Sequence, residues 1–384
     1  MSSSVLHPLP RQRWRAALLA GLAFVAFAAA LSPGHAQARV PSSFLGLTSE
    51  DTFNMPGSYR TQQLRLQKGI GVGLFRQVFD WSAIETSRGH YNFAPYDQYV
   101  RDATSRGITI LPIVVNAPTF RAAPLARGSA KNTTRLPRNF NDFGAFTTVL
   151  ARRYGPRGSV FSGGGKRKYA IRSWQLWNEP NLPVFWGGRK PDGRSYVKLL
   201  AAGAKGIKRI DRGAEIVSAG LPQSRARGSV PVTKYIGQVL KAKGQRYFQT
   251  LGVNAYAPTA VGTFKLLGVV RQLLNRGKAG RVKMWLTEVG WADKCNTRGP
   301  NCRSSRFNLR TQRNQANQVV KIFVLLGQQR KKLNIRGVVY YNWRDGAPYA
   351  GGTDFVGLHM GLVDINGNAK AAYTAFGSAG RRLR

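Results

Sequence analysis

Trp174-Gln175-Leu176-Trp177-Asn178-Glu179-Pro180-Asn181 is the segment from which the fold is read. It completes an apolar run, Tyr169 to Leu176, with the character of a buried β-strand, and Pro180 cannot extend that strand. Glu179 therefore stands where a strand stops and a loop begins. Trp177 and the amide of Asn178 flank it. An apolar wall disfavours an ionised carboxylate, so this is the setting of a general acid with a raised pKa. The chain has only five glutamates, which makes the position of each informative.

A second glutamate repeats the pattern. Lys283-Met284-Trp285-Leu286-Thr287-Glu288-Val289-Gly290-Trp291 is again an apolar strand with a carboxylate near its end. Glu179 and Glu288 are 109 positions apart, room for three strand-plus-helix units of roughly 36 residues. In a (β/α)₈ barrel the strand C-termini all open onto one face, so ends three strands apart can converge there.

The remaining strand candidates fit such a barrel. Phe44 to Thr48, Gly71 to Phe79 and Ile108 to Val115 precede the Glu179 strand. Glu215 to Leu221 and Phe248 to Tyr256 lie between the two glutamates, and Gly337 to Trp343 is the eighth. Between them, segments such as Phe143 to Arg153, Tyr196 to Ile210 and Gln312 to Gln328 carry apolar residues at three-to-four spacing and predict helices. Alternating strands and helices predict a parallel sheet, and eight units predict closure into one catalytic domain over 39–384.

Asn178-Glu179-Pro180 at one strand end, with Glu288 three strands on, resembles the clan A glycoside hydrolases, in particular the family 39 and family 5 branches. The resemblance covers nearly all of the chain after residue 38. It implies a retaining (β/α)₈ glycosidase that needs no metal or organic cofactor. Carried onto this chain, it implies Glu179 as acid/base, Glu288 as nucleophile and Asn178 as a partner of the sugar 2-hydroxyl. Clan members often have His-x-Tyr at the sixth strand, whereas this chain has Asn254-Ala255-Tyr256, so the histidine's substrate contact is missing.

Other strand ends supply a supporting shell. Arg76, near the end of the second strand, is expected to hold the nucleophile ionised through charge-assisted hydrogen bonds. Tyr256 is expected to reach Glu288 from the neighbouring strand. Trp343 is expected to form the platform beneath the reacting sugar, with Trp186 and Trp291 as cleft walls. Asp80, Glu85 and Asp345 are read as structural. The segment Gly361 to Lys370, with its Asn366-Gly367 turn, is read as a closing hairpin without chemistry.

Residues 1–38 have the layout of a signal peptide. Arg11, Arg13 and Arg15 precede an apolar run from Ala16 to Ser32, and Ala36-Gln37-Ala38 offers a small-x-small cleavage site. The run is short for a membrane span, so the expectation is export, with no transmembrane span in the mature chain. Cys295 and Cys302, the only cysteines, would then form a disulfide in the loop after Glu288. With no histidine near either of them, a metal site is not expected.

The chain has 59 basic and 16 acidic residues, a formal charge of +43. Residues 1–38 hold three of the basic residues and none of the acidic ones, so +40 remains without them. Such a charge suggests residence against polyanions, with an acidic polysaccharide or an anionic cell-wall polymer as candidate partners beside the carbohydrate substrate. The basic residues form a diffuse coat, denser over 121–138, 152–168 and 222–246. No helix-turn-helix, zinc or aromatic RNP pattern points to specific nucleic-acid binding. The protein is expected to be a monomer. The positive field should lower both glutamate pKa values, which helps a nucleophile and opposes an acid. On that basis activity should peak on the acid side of neutrality. A transglycosylase and a non-catalytic carbohydrate- or polyanion-binding protein of the cell surface are the alternative functions.

Overall fold

The computed structural model describes residues 39–224, 226–295, 302, 305–349 and 354–383. Its centre is a closed parallel barrel of eight strands: β1 (Leu45–Thr48), β2 (Leu74–Asp80), β3 (Thr109–Val115), β4 (Ser173–Leu176), β5 (Glu215–Val217), β6 (Thr250–Asn254), β7 (Lys283–Val289) and β8 (Ile335–Tyr340). The strands pair in chain order. β8 returns to β1 and β6 pairs with β7, which closes the ring. The predicted (β/α)₈ architecture is therefore present.

The strands form because both faces of each are covered. β3, Thr-Ile-Leu-Pro-Ile-Val-Val, is buried at every position after its first, as expected of a parallel strand between a barrel interior and a helical layer. Leu74, Leu111, Val217, Trp285 and Val339 form a separate buried cluster drawn from β2, β3, β5, β7 and β8, the side-chain plug of a small barrel. Gly46 on β1 makes room for that plug. A Cβ there would lie 2.8 Å from Leu74 Cδ2 and 2.9 Å from Val339 Cγ2.

Helices surround the ring, among them Phe140–Tyr154, Gly193–Ile210 and Gln312–Gln329, close to the three predicted from periodicity. The fifth strand is shorter than its apolar run. It stops at Val217, and a second piece, Leu221–Pro222, pairs with β6. A small hairpin, Glu85–Ser87 with His90–Tyr91, was not predicted. Among the described residues, no helix is long and apolar enough to cross a membrane. Cys295 and Cys302 are joined in a disulfide, as expected.

Candidate active site

A cleft of about 650 Å³ opens at the C-terminal ends of the strands, within the size range of ligand sites. The period of two along β2 explains how its floor is built. Leu74 lies in the plug, Arg76 two residues further is a buried cation, and Val78 lines the cleft. One strand thus passes from packing to electrostatics to the cleft wall.

Each nitrogen of Arg76 is engaged. Nε donates to Gln175 Oε1 at 2.8 Å, Nη1 to Glu288 Oε1 at 2.6 Å and Nη2 to Asn178 Oδ1 at 2.9 Å. The second oxygen of Glu288 accepts from the Tyr256 hydroxyl at 2.9 Å. Burial, and then the charge of Glu288, push the Tyr256 hydroxyl well above its usual pKa, so it remains a donor. Glu288 is therefore a buried carboxylate with both oxygens held.

Strict alternation from Trp285 would not bring Glu288 to the same side. The register between β6 and β7 shifts between Leu286 and Glu288, and such an irregularity re-aims the residue that follows it. As a result Thr287 and Glu288 both serve the site. The Thr287 hydroxyl donates to Asn254 Oδ1 at 2.8 Å, and the Asn254 amide donates to Glu179 Oε1 at 2.6 Å.

Glu179 is reached by a strained backbone. Trp177 and Glu179 have φ of 77° and 43°, the left-handed region that side chains other than glycine and asparagine rarely adopt. The Glu179 amide donates to Gly220 O at 3.0 Å, and the Trp177 indole donates to Phe185 O at 2.8 Å. These bonds hold the turn in a conformation that costs about 1–3 kcal/mol per strained residue. Burial, and secondly the charge of Glu288, raise the Glu179 pKa to about 8 against the opposing effects of Asn254 and Arg76. Local desolvation thus outweighs the positive field of the chain, contrary to the expected lowering.

The structure brings together Glu179, Glu288, Arg76, Asn178 and Tyr256. It does not bring the three tryptophans to the cleft. Trp343 is fully buried behind the barrel, with its indole donating to Gln63 Oε1 at 2.8 Å and its ring against Tyr373. Trp186 is buried edge-on between Trp177 and Tyr196. Trp291 is buried with its indole donating to Ala257 O at 2.9 Å. In their place Phe185, Phe307, Tyr341 and Phe355 line the cleft. Asp80 caps the helical turn Trp81–Ile84, Glu85 pairs with Arg121 and Asp345 pairs with Lys370; none of the three lines the cleft.

Glu50, which sequence reasoning passed over, does line the cleft. Its pKa is raised first by the enclosing walls and then by Glu288. The available signal was rarity: three of the five glutamates, Glu50, Glu179 and Glu288, share this one opening.

No protein-family model and no curated protein sequence matches the chain. Solved structures do. A family 39 glycoside hydrolase from Bacteroides cellulosilyticus WH2 superposes with a TM-score of 0.61 at 18% identity, over 89% of this chain and 65% of that one. A glucosidase from Croceicoccus marinus gives 0.63 at 15% identity, over 90% and 68%. A monomeric beta-xylosidase from Caulobacter crescentus CB15 gives 0.58 at 17% identity, over 88% and 68%. This chain thus spans about two thirds of the length of these neighbours and has the barrel fold that they use.

Proposed function

We propose that this chain is a retaining glycoside hydrolase. The observation that carries the reading is the pairing of two glutamates with different partners at one cleft. Glu179 is raised to about 8 by burial and by Glu288, so it holds a proton at neutral pH and can give it to a leaving oxygen. Glu288 has both carboxylate oxygens held, by Arg76 and Tyr256, which fixes the carboxylate as an oriented nucleophile.

In the first step Glu288 attacks the anomeric carbon. Glu179 protonates the departing oxygen, leaving a glycosyl ester on Glu288. Glu179, now ionised, takes a proton from water, which attacks the same carbon and frees the sugar with its configuration retained. Asn178 Oδ1 accepts from Arg76, which turns its amide N–H₂ toward a sugar hydroxyl. Asn254 and Thr287 orient Glu179, and the aromatic lining offers faces for the C–H surfaces of sugar rings. Residues 1–38 act as an export signal. The basic coat keeps the protein against an anionic cell-wall polymer or an acidic polysaccharide.

The test is incubation with fluorinated glycosides that trap glycosyl-enzymes, followed by peptide mass mapping, beside a screen of neutral and acidic polysaccharides. The expected result is an adduct on Glu288, lost in Glu288→Ala, and products of retained configuration. Inverted products, or an adduct elsewhere, would reject the mechanism. Trapping of sugars onto alcohol acceptors in place of water would mark a transglycosylase.

A further inference from the structure

Glu50 and Asp51 are adjacent acids with different surroundings. Asp51 accepts from the Ser49 and Tyr59 hydroxyls and pairs with Arg344 at 3.3 Å. Glu50 is exposed into the cleft, and among the described residues it has no hydrogen bond or ion pair. A carboxylate that supports the fold would resemble its neighbour.

The position of Glu50 is asymmetric. It sits at the end of β1, in the electrostatic reach of Glu288, Arg76 and Tyr341. β1 pairs with β2, whose Arg76 holds Glu288, whereas Glu179 follows β4, three strands on. Glu50 therefore lies on the nucleophile's side of the cleft, where the sugar ring remains after the leaving group departs. Arg76 is the only cation among the described lining residues, and each of its nitrogens already donates to Gln175, Glu288 or Asn178. Among the described lining residues, no cation pairs with Glu50. The described lining thus holds three acids and one cation, within a chain of charge +43.

We infer that Glu50 holds hydroxyl groups of the ring that is transferred to Glu288, and that the site accepts an uncharged glycone and rejects one bearing a carboxylate. This rests on the glycosidase reading above. An ionised carboxylate accepts hydroxyl hydrogen bonds more strongly than a neutral acceptor. Arg76 is already paired with Glu288, so a uronate would meet Glu50, which has no ion pair of its own among the described residues, and like-charge repulsion is a common way to exclude a partner. Acidic polymers then meet the basic coat, while their acidic units stay out of the reacting position.

The test compares aryl glucosides and xylosides with aryl glucuronides in both anomers, using wild type, Glu50→Gln and Glu50→Ala. Wild type is expected to turn over a neutral member and to discriminate against the matching uronide. Glu50→Gln, with an unchanged melting temperature, should raise KM for the neutral glycoside about tenfold or more, the usual effect of losing hydrogen bonds to a charged group. Its kcat should fall less, and its preference for the neutral member over the uronide should narrow about tenfold. A wild type that prefers uronides, or a Glu50→Gln variant with unaltered KM and preference, would overturn the inference while leaving glycosidase activity standing. A wild type inert toward every member would overturn the glycosidase reading, and this inference with it.

Discussion

Arg76 Nη1 lies 2.6 Å from Glu288 Oε1, although 212 positions of chain separate them. Barrel closure makes the contact, since β2 and β7 face one another only across the closed ring. The pair is largely shielded from water, with side-chain exposures of 2% and 11%. Removing one partner of such a pair leaves an uncompensated charge and costs about 3–5 kcal/mol. Arg76→Ala is therefore expected to lower stability by about that amount in urea denaturation. It should also reduce kcat/KM about 100-fold or more, because one oriented charge-assisted donor of this kind supplies about 3–4 kcal/mol. Arg76→Lys keeps the charge but not the three-way fork, and should fall between.

The pH dependence follows from Glu179. A general acid must enter the reaction protonated, and Glu179, proposed for that role, is raised to about 8 by burial and by Glu288. The kcat/KM profile is expected to fall as pH rises through about 8, in place of the acid-side optimum that the overall charge suggested. The Asn254 amide donates to Glu179 and favours its ionised form. Asn254→Ala should thus move the descending limb to higher pH, and a limb that stays in place would remove Asn254 from this role.

The same shift has a consequence for stability. An unfolded Glu179 would titrate near 4.5, whereas the folded one titrates near 8. Between these values the native state binds the extra proton, so stability declines as pH rises through the interval. Glu179→Gln removes that decline. Its melting temperature should equal or slightly exceed wild type at pH 4 and exceed it by more at pH 8. Its turnover of unactivated glycosides should drop about 10²–10⁴-fold, the usual contribution of acid–base catalysis. A melting difference that does not vary with pH would contradict the assigned titration.

The barrel and its two central glutamates were legible because they rest on local patterns: apolar runs of strand length, interrupted by Pro180 or Gly290, at regular intervals. Arg76 and Tyr256 were legible as strand-end residues, although β6 stops at Asn254 and Tyr256 lies just past it. What the sequence hid depends on departures from regular geometry. The register shift before Glu288 breaks the alternation from which facing is inferred. Glu50 opens a short helix, Glu50–Asn54, next to Asp51, and acids in a first helical turn are ordinary. Its place at the cleft follows only from where the end of β1 falls in the closed ring.

Trp343 is the most instructive displacement, and it yields the last prediction. Its apolar run reads as strand up to residue 343, but β8 ends at Tyr340. From there the chain turns across the barrel rim: Tyr341 N donates to Val289 O at 2.9 Å, beside β7, while Trp343 N donates to Thr48 O at 3.0 Å, at the end of β1. That turn leaves Tyr341 half-buried on the cleft and drives the Trp343 indole outward to Gln63 and Tyr373. The two aromatics should separate in experiment. Tyr341→Ala should raise KM about tenfold or more, as sugar stacking is lost, with little change in melting temperature. Trp343→Phe should leave KM near wild type but lower stability by about 1–3 kcal/mol, because a smaller ring leaves Gln63 Oε1 buried without its donor. The opposite pattern, with KM sensitive at Trp343 and stability at Tyr341, would mean that the sugar is held from the β1 side of the rim.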